Sequence, residues 1–215
     1  MAKPILYSYW RSSCSWRVRI ALNLKGIDYE YKTVNLLDSN ALNAPDFVTV
    51  TPIQKVPVFI DNGHPIAESL AIIEYLEDKY PNKTRLLPTD PLKRAEARAI
   101  ALHVTAGIQP LQNLAVLKHL NSQAEGKGKE FATHFLTTGL TKLEDLVKKS
   151  AGKYCVGDEV SIADLVVPSI LYNANRFGVN VSQFPTLLRI NESLGQIKEF
   201  KDAEPDAQPD ANLNA

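Results

Sequence analysis

A small α/β domain followed by an all-helical domain is the architecture this sequence predicts. Three observations lead there. Strand and helix signals alternate through about the first eighty residues, a Pro-rich connection PNKTRLLPTDP (81–91) interrupts them, and beyond it nearly every segment carries helical period. The predicted boundaries are 1–83 for the first domain, 84–91 for the linker and 92–215 for the second.

Each element has its own warrant. ILYSY (5–9) is a short β-rich run, and SSCSWRVRIALNLKG (12–26) reads as an amphipathic helix ended by Gly26. YEYKTV (29–34) alternates as a strand does. VPVFI (56–60) reads as a buried strand, and Asp61-Asn62-Gly63 is a strong hairpin turn into HPI. ESLAIIEYLEDKY (68–80) closes the unit as a helix with Leu70, Ile73 and Leu76 on one face. The order is β-α-β, a long connection, then β-β-α. In the second half LKRAEARAIALHVTA (92–106) is one helix with Pro91 at its first turn. Gly107 and Pro110 bend or restart it before LQNLAVLKHL. Phe131, Phe135, Leu140, Leu143 and Val147 mark another long stripe. Ser161-Ile162-Ala163-Asp164 is a capping-box variant that opens the next helix, with Asp in place of the usual Glu or Gln. The tail EPDAQPDANLNA (204–215), rich in Pro and Asp, is expected to be irregular.

Composition narrows the function. The chain has 215 residues, with Lys plus Arg equal to Asp plus Glu at 24 each, so its formal net charge is zero. That balance argues against bulk binding of nucleic acid or an anionic membrane, which need a basic surplus. Arg11, Arg17 and Arg19 break every apolar run near the start, so no signal peptide is read there. No run of about 18 apolar residues is read, so no membrane span is expected. Cys14 and Cys155 are the only cysteines, far apart in sequence, which suits a reducing cytosol. A cytoplasmic protein is the expectation.

The stretch YWRSSCSWRVRIAL (9–22) raises the chemical question. Ser12 and Ser13 stand where a helix begins, and a serine there is a favoured N-cap worth about 1 kcal/mol. Cys14 opens a helix after a strand, as the thiol of a redox enzyme does. Yet Cys14-Ser15-Trp16-Arg17 is neither C-x-x-C nor C-x-x-S, so no resolving partner stands in the usual place. Arg11, Arg17 and Arg19 have no carboxylate near them in sequence until Asp28. A solvated helix face accounts for Arg19 and for Arg17, while Arg11 precedes the helix and can border an anion pocket.

Taken together, SSCSWRVRIAL, Lys55-Val56-Pro57, Glu68-Ser69, GIQPLQNL and the Ser161–Asp164 box closely resemble, in order and spacing, the zeta class of cytosolic glutathione transferases, the maleylacetoacetate isomerases. The match runs from about Pro4 to the QPD near the tail. It implies a thioredoxin-like domain followed by a helical domain, a homodimer, and glutathione as the cofactor, with no metal. It also implies that Ser12, the first of the serine pair, hydrogen-bonds the glutathione sulfur and holds it as thiolate, with Ser13 a neighbour or the cap and Cys14 in a supporting catalytic role. Magnitudes permit this. Lowering a thiol pKa of about 8.5 by about two units takes roughly 2.7 kcal/mol. One charge-assisted hydrogen bond supplies about 1.5–3 kcal/mol and a helix N-terminus about 0.3–1 more.

The same resemblance assigns glutathione contacts to the run Ser12, Ser13, Cys14, Ser15, Trp16 and Arg17. It adds Gln54 and Lys55 near the glycine carboxylate, and Val56 before a cis Pro57, whose backbone bonds the cysteinyl part like an added strand. Glu68 takes the γ-glutamyl ammonium and Ser69 its carboxylate. Gln109, Asn113, Leu114 and Ala115 line the site further on. Arg11 and Arg176, in NANRFGV, hold carboxylates of the substrate, a dicarboxylic diketo acid. The reaction expected is cis–trans isomerisation of maleylacetoacetate by reversible thiolate addition, in tyrosine and phenylalanine breakdown. A conjugating transferase for α-haloacids and other electrophiles, or a non-enzymatic interaction module on this fold, are the rival readings.

Overall fold

The computed structural model describes residues 2–211. The chain forms two compact units, one running to Arg85 and resumed from Ile197, the other Leu86–Gln196. Both edges of the second unit differ from the sequence expectation. Leu86 and Leu87, expected in a linker, are buried, and Leu86 O accepts from Ile162 N at 2.7 Å. Two leucines in a Pro-rich connection are apolar enough to be taken into a core.

In the first unit β1 (Ile5–Ser8) runs parallel to β2 (Glu30–Thr33) and antiparallel to β3 (Val58–Asp61), which pairs antiparallel with β4 (His64–Ala67). The sheet order is β2-β1-β3-β4, so β1 and β3 are central and carry Leu6, Val58 and Phe59 without exposure. The predicted hairpin turn holds Asn62 at φ 49° and Gly63 at φ 81°, the pair of positive angles that a two-residue turn between twisted strands requires. Helix α1 (Ser13–Leu24) follows β1. The connection after β2 contains two short helices that its sequence does not announce, α2 (Ser39–Leu42) and α3 (Pro45–Val50). Neither is long enough to show a period; Asp38 caps one and Pro45 starts the other. Helix α4 (Ser69–Lys79) packs on α1 and buries Ser69, Ile72, Ile73 and Leu76, with Leu70 only half-buried at the margin of that face.

The second unit is helical. Asp90 caps α5 (Pro91–Leu102) through Lys93 N, and the chain then makes a π turn (His103–Ile108) and a 3-10 turn (Gln109–Gln112) before α6 (Leu114–Gln123). The stretch Pro91–Gln123 contains an 18-residue window with a mean hydropathy of 1.2, enough by length and composition to cross a membrane, where none was expected from the sequence. It is not one regular helix, because Pro110 and the two turns divide it. A glycine permits the π turn to be overlaid: a Cβ on Gly139 would lie 2.6 Å from Ile108, and the His103 ring bonds Gly139 O at 3.1 Å. Gly139 belongs to α7 (Lys127–Val147), whose buried stripe is Ala132, Leu136, Gly139, Leu140, Leu143 and Val147. Phe131 and Phe135 lie beside that stripe, half-buried, with their ring centres 4.5 Å apart and the rings tilted by 53°. Glu144 of α7 accepts from Thr186 N and Leu187 N at the start of α9 (Pro185–Leu194). The expected capping box is half formed and does not itself open the next helix: Ser161 Oγ accepts from Ala163 N at 3.3 Å rather than from Asp164 N, and a 3-10 turn (Asp164–Val166) comes before the helix. Asp164 accepts from Ser161 N at 2.8 Å, Ser161 Oγ at 3.1 Å and Cys155 N at 2.8 Å, just ahead of α8 (Val167–Arg176).

The tail returns to the first unit; from 204 to 211 it is irregular, as expected, apart from a 3-10 turn at Pro205–Ala207, and residues 212–215 lie outside the described range. Helix α10 (Lys198–Lys201) packs against α1, and Asn23 Nδ2 donates to Glu199 O at 3.0 Å. Arg19, expected on a solvated face, is fully buried. Its guanidinium donates to Ser8 Oγ (3.3 Å), Tyr9 O (3.3 Å), Trp10 O (3.0 Å) and Ala203 O (2.9 and 3.1 Å). Burial pulls its pKa down to about 10, so it remains charged at neutral pH.

Candidate active site

The site grows from the turn between β1 and α1. Ser12 has φ −73° and ψ 116°, outside the helix, and its Oγ accepts from Ser15 N at 3.2 Å. Ser12 is therefore the cap, and Ser13, the alternative, is the first helical residue and buried. A hydroxyl has one donor and two acceptor sites. The cap bond uses an acceptor, so the Ser12 proton stays available to a ligand at the positive end of α1.

Two further segments complete the first unit's contribution. The Val56-Pro57 peptide is cis, as the sequence suggests, and Val56 lies two residues ahead of the ladder that begins at Val58. Gln54 sits at φ 50° with its amide donated to Leu42 O and Asn43 Oδ1, while Lys55 is exposed. Glu68 holds φ 67° and ψ 116° ahead of α4, with an exposed carboxylate. A non-glycine residue there costs about 1–3 kcal/mol, the kind of strain that collects at binding sites. Ser69 is the first residue of α4 and is buried.

Arg17 joins these parts. It is 1% exposed and not on a solvated face, and its Nη1 donates to Ser69 Oγ at 3.0 Å. Burial pulls its pKa down, opposed by charge and hydrogen-bond interaction with Cys14 and by the Glu68 carboxylate. One guanidinium thus links the N-terminal turns of α1 and α4, so two electropositive helix ends are held by the same residue. Because Ser69 Oγ accepts from Arg17, its own proton is left for an anion. Cys14 is a half-buried thiol that interacts with Arg17. Ser15 and Trp16 are buried, and Ser15 N is already spent on the cap. Arg11 is half-buried with its guanidinium 5.1 Å from the Trp10 ring centre.

The remaining predicted residues belong to the second unit. Gln109 is buried at the start of the 3-10 turn. Asn113 precedes α6 and is exposed, as are Leu114 and Ala115. Arg176 ends α8, exposed, with its guanidinium 5.5 Å from the Phe177 ring centre. Gln112 was missed by sequence reasoning. It is 8% exposed, and among the described residues neither of its amide atoms has a hydrogen-bond partner. Such a group marks a place for a polar ligand atom or a water. No sequence pattern distinguishes it from the other glutamine of QPLQ, Gln109.

The donor set of the first unit suits a γ-glutamyl thiol. It offers a hydroxyl donor at a helix end for sulfur, a serine and helix end for a carboxylate, a carboxylate for an ammonium, and backbone before a strand for a peptide. Comparison with known proteins gives the same direction. Residues 2–78 match the family described as Glutathione S-transferase, N-terminal domain, and residues 111–202 match Glutathione S-transferase, C-terminal domain. A probable maleylacetoacetate isomerase of Caenorhabditis elegans is 57% identical over 213 residues, spanning 99% of this chain and 98% of that one. The crystal structure of a maleylacetoacetate isomerase from Anaeromyxobacter dehalogenans, with glutathione bound in the active site, is 42% identical with a TM-score of 0.90 over 98% of each chain. A second structure of that protein, 41% identical with a TM-score of 0.88 over 98% of each chain, holds dicarboxyethyl glutathione and citrate.

Proposed function

The chain belongs to the glutathione S-transferase family, and from that premise we propose that it is a glutathione-dependent isomerase converting maleylacetoacetate to fumarylacetoacetate. The observation that carries the reading is Ser12, a cap whose hydroxyl keeps its proton at the N-terminus of α1. Bound glutathione supplies a thiolate that adds reversibly to the conjugated cis double bond, permits rotation there, and leaves. The protein's part is to make and hold that charge. Ser12 donates to the sulfur for about 1.5–3 kcal/mol, and the helix end adds about 0.3–1. Ser69, oriented by Arg17, and the start of α4 take the γ-glutamyl carboxylate; Glu68 takes the ammonium. Backbone groups at Val56 receive the peptide. A bacterial relative bound to a glutathione derivative with a dicarboxyethyl group supports a dicarboxylic substrate. A homodimer in the cytoplasm is part of this reading, supported by the family and by a sequence with only two cysteines, far apart along the chain.

The test is to follow loss of the cis diketo acid with catalytic glutathione. The expected result is many turnovers per glutathione, total glutathione unchanged and the trans isomer as product. Stoichiometric depletion of glutathione with no trans product would replace this reading with conjugation.

Arg176 is proposed to hold a substrate carboxylate. Because it is exposed, water screens it, and the contact is worth the low end of the range for a charged hydrogen bond. Arg176→Ala should lower kcat/KM for maleylacetoacetate by about 10-fold, with a much smaller effect on an uncharged chloronitrobenzene. An equal loss on both substrates would remove the carboxylate role.

A further inference from the structure

We propose that the C-terminal segment is a positioning element for the catalytic turn, and that Asp210 is its positioning residue. The inference rests on the reading of Ser12 as the group that holds the thiolate.

In the turn Tyr9–Ser12 the backbone groups Tyr9 O, Trp10 N, Trp10 O, Ser12 N and Ser12 O are each hydrogen-bonded. Ser12 N donates to Tyr9 O at 3.0 Å, which closes the turn. Tyr9 O and Trp10 O both accept from the buried Arg19 guanidinium, whose remaining donors reach Ser8 Oγ and, twice, Ala203 O. Trp10 N, the turn's other inward donor, is taken by Asp210 Oδ2 at 3.0 Å. The other Asp210 oxygen accepts from Tyr31 Oη at 2.6 Å. Burial and the bond to Asp210 push the Tyr31 phenol upward, so it remains a donor at physiological pH.

The segment is itself built to present that carboxylate. Gln208 is 8% exposed and donates its amide to Asp202 O (2.9 Å) and Glu204 O (2.8 Å), while Ala211 N donates to Gln208 O (3.0 Å) across Asp210. A chain that served only to cover the sheet could bury apolar groups. This one sends a backbone carbonyl through Arg19 and a side-chain carboxylate directly to the peptide units on either side of Trp10, two residues from the catalytic hydroxyl. Asp210 therefore acts through the turn on the direction of the Ser12 O–H. It does not act through the glutathione contacts at Val56, Glu68 and Ser69. The requirement for angular accuracy is strict, because a hydrogen bond to sulfur weakens steeply when misaligned.

The experiment compares Asp210→Ala, Asp210→Asn and Ser12→Ala as full-length proteins. Three quantities are read: amide exchange at Trp10 without ligand, the ultraviolet thiolate band of bound glutathione at neutral pH, and glutathione Kd. In Asp210→Ala the Trp10 amide should exchange at least about 10-fold faster, and kcat and the thiolate-to-thiol ratio should each fall about 10-fold, with Kd within about two-fold. Asp210→Asn should recover most of these losses, because its Oδ1 can accept from Trp10 N and its Nδ2 can donate to the Tyr31 oxygen. If Asp210→Ala does not fold, Tyr31→Phe should shift the thiolate band in the same direction by a smaller amount. An unchanged thiolate band in a folded Asp210→Ala protein overturns the proposal, as does an Asn variant no better than Ala. Loss of the band in Ser12→Ala with none in Asp210→Ala removes the positioning role alone. A band intact in both removes the Ser12 reading beneath it.

Discussion

Ser12→Ala is expected to lower kcat by about 100-fold or more while glutathione Kd moves by no more than a few-fold. The two effects separate because they use different atoms. On the proposed reading, turnover needs the hydroxyl proton that the cap bond leaves over, whereas affinity comes from Val56, Glu68 and Ser69. The substitution also deletes the acceptor for Ser15 N, and that lost cap is worth about 1 kcal/mol of stability. Ser12→Asp distinguishes capping from catalysis. Aspartate caps a helix as well as serine does, yet it places a negative charge against the sulfur and donates no proton. It should fold at least as stably as the parent and turn over no faster than Ser12→Ala. Denaturant melts, glutathione titrations and kcat on the same preparations settle the matter. If Ser13→Ala proves the damaging change and Ser12→Ala mild, the two serines have been assigned the wrong way round.

The sequence made the site more legible than the way it is held. Ser12, Val56-Pro57 and Glu68-Ser69 stand at element boundaries, where caps, turns and prolines leave recognisable marks; the structure puts Ser12 and Glu68-Ser69 at the helix starts expected and Val56-Pro57 just ahead of a strand that begins two residues later than expected, at Val58. Arg17 and Arg19 do not behave as their charge suggests. A rule that sends charged residues to solvated faces fails when a guanidinium buried among carbonyls has acceptors for its donors, and acceptors distant in sequence, such as Ala203 O, leave no local pattern. The contacts of the tail leave no local pattern for the same reason. Its Pro and Asp content reads as irregular chain, but Asp210 has Trp10 N and Tyr31 Oη as partners, 200 and 179 residues away in sequence. Among the helices, Phe131 and Phe135 drew attention by size. The spacing of Ala132, Leu136, Gly139, Leu140 and Leu143 is what sets the buried face, with Gly139 present because Ile108 comes too close for any side chain.

Arg17→Ala should show the converse of the Ser12 result, with affinity lost and chemistry kept. The guanidinium is buried, and because it donates to Ser69 Oγ it leaves the Ser69 proton for an anion and adds positive charge at the start of α4. A hydrogen bond to a charged group is worth about 1.5–3 kcal/mol, so glutathione Kd should rise by about 10- to 100-fold. Stability should fall as well, through the cavity left by a large buried side chain. Arg17→Met provides the control for that loss, since it fills most of the space without charge or donors. It should recover stability relative to Ala and leave glutathione binding weak. Arg17→Lys should recover only part of the affinity, because one ammonium cannot reproduce the planar fork that serves Ser69 and Cys14 together. At saturating glutathione the thiolate band of both Met and Lys variants should remain, because the Ser12 hydroxyl and its turn are untouched. A folded Arg17→Met protein that binds glutathione as tightly as the parent would show that Ser69 and the helix end suffice for the carboxylate. Loss of the thiolate band at saturation would instead place Arg17 in the thiol half of the site, acting through Cys14 on the same turn that carries Ser12.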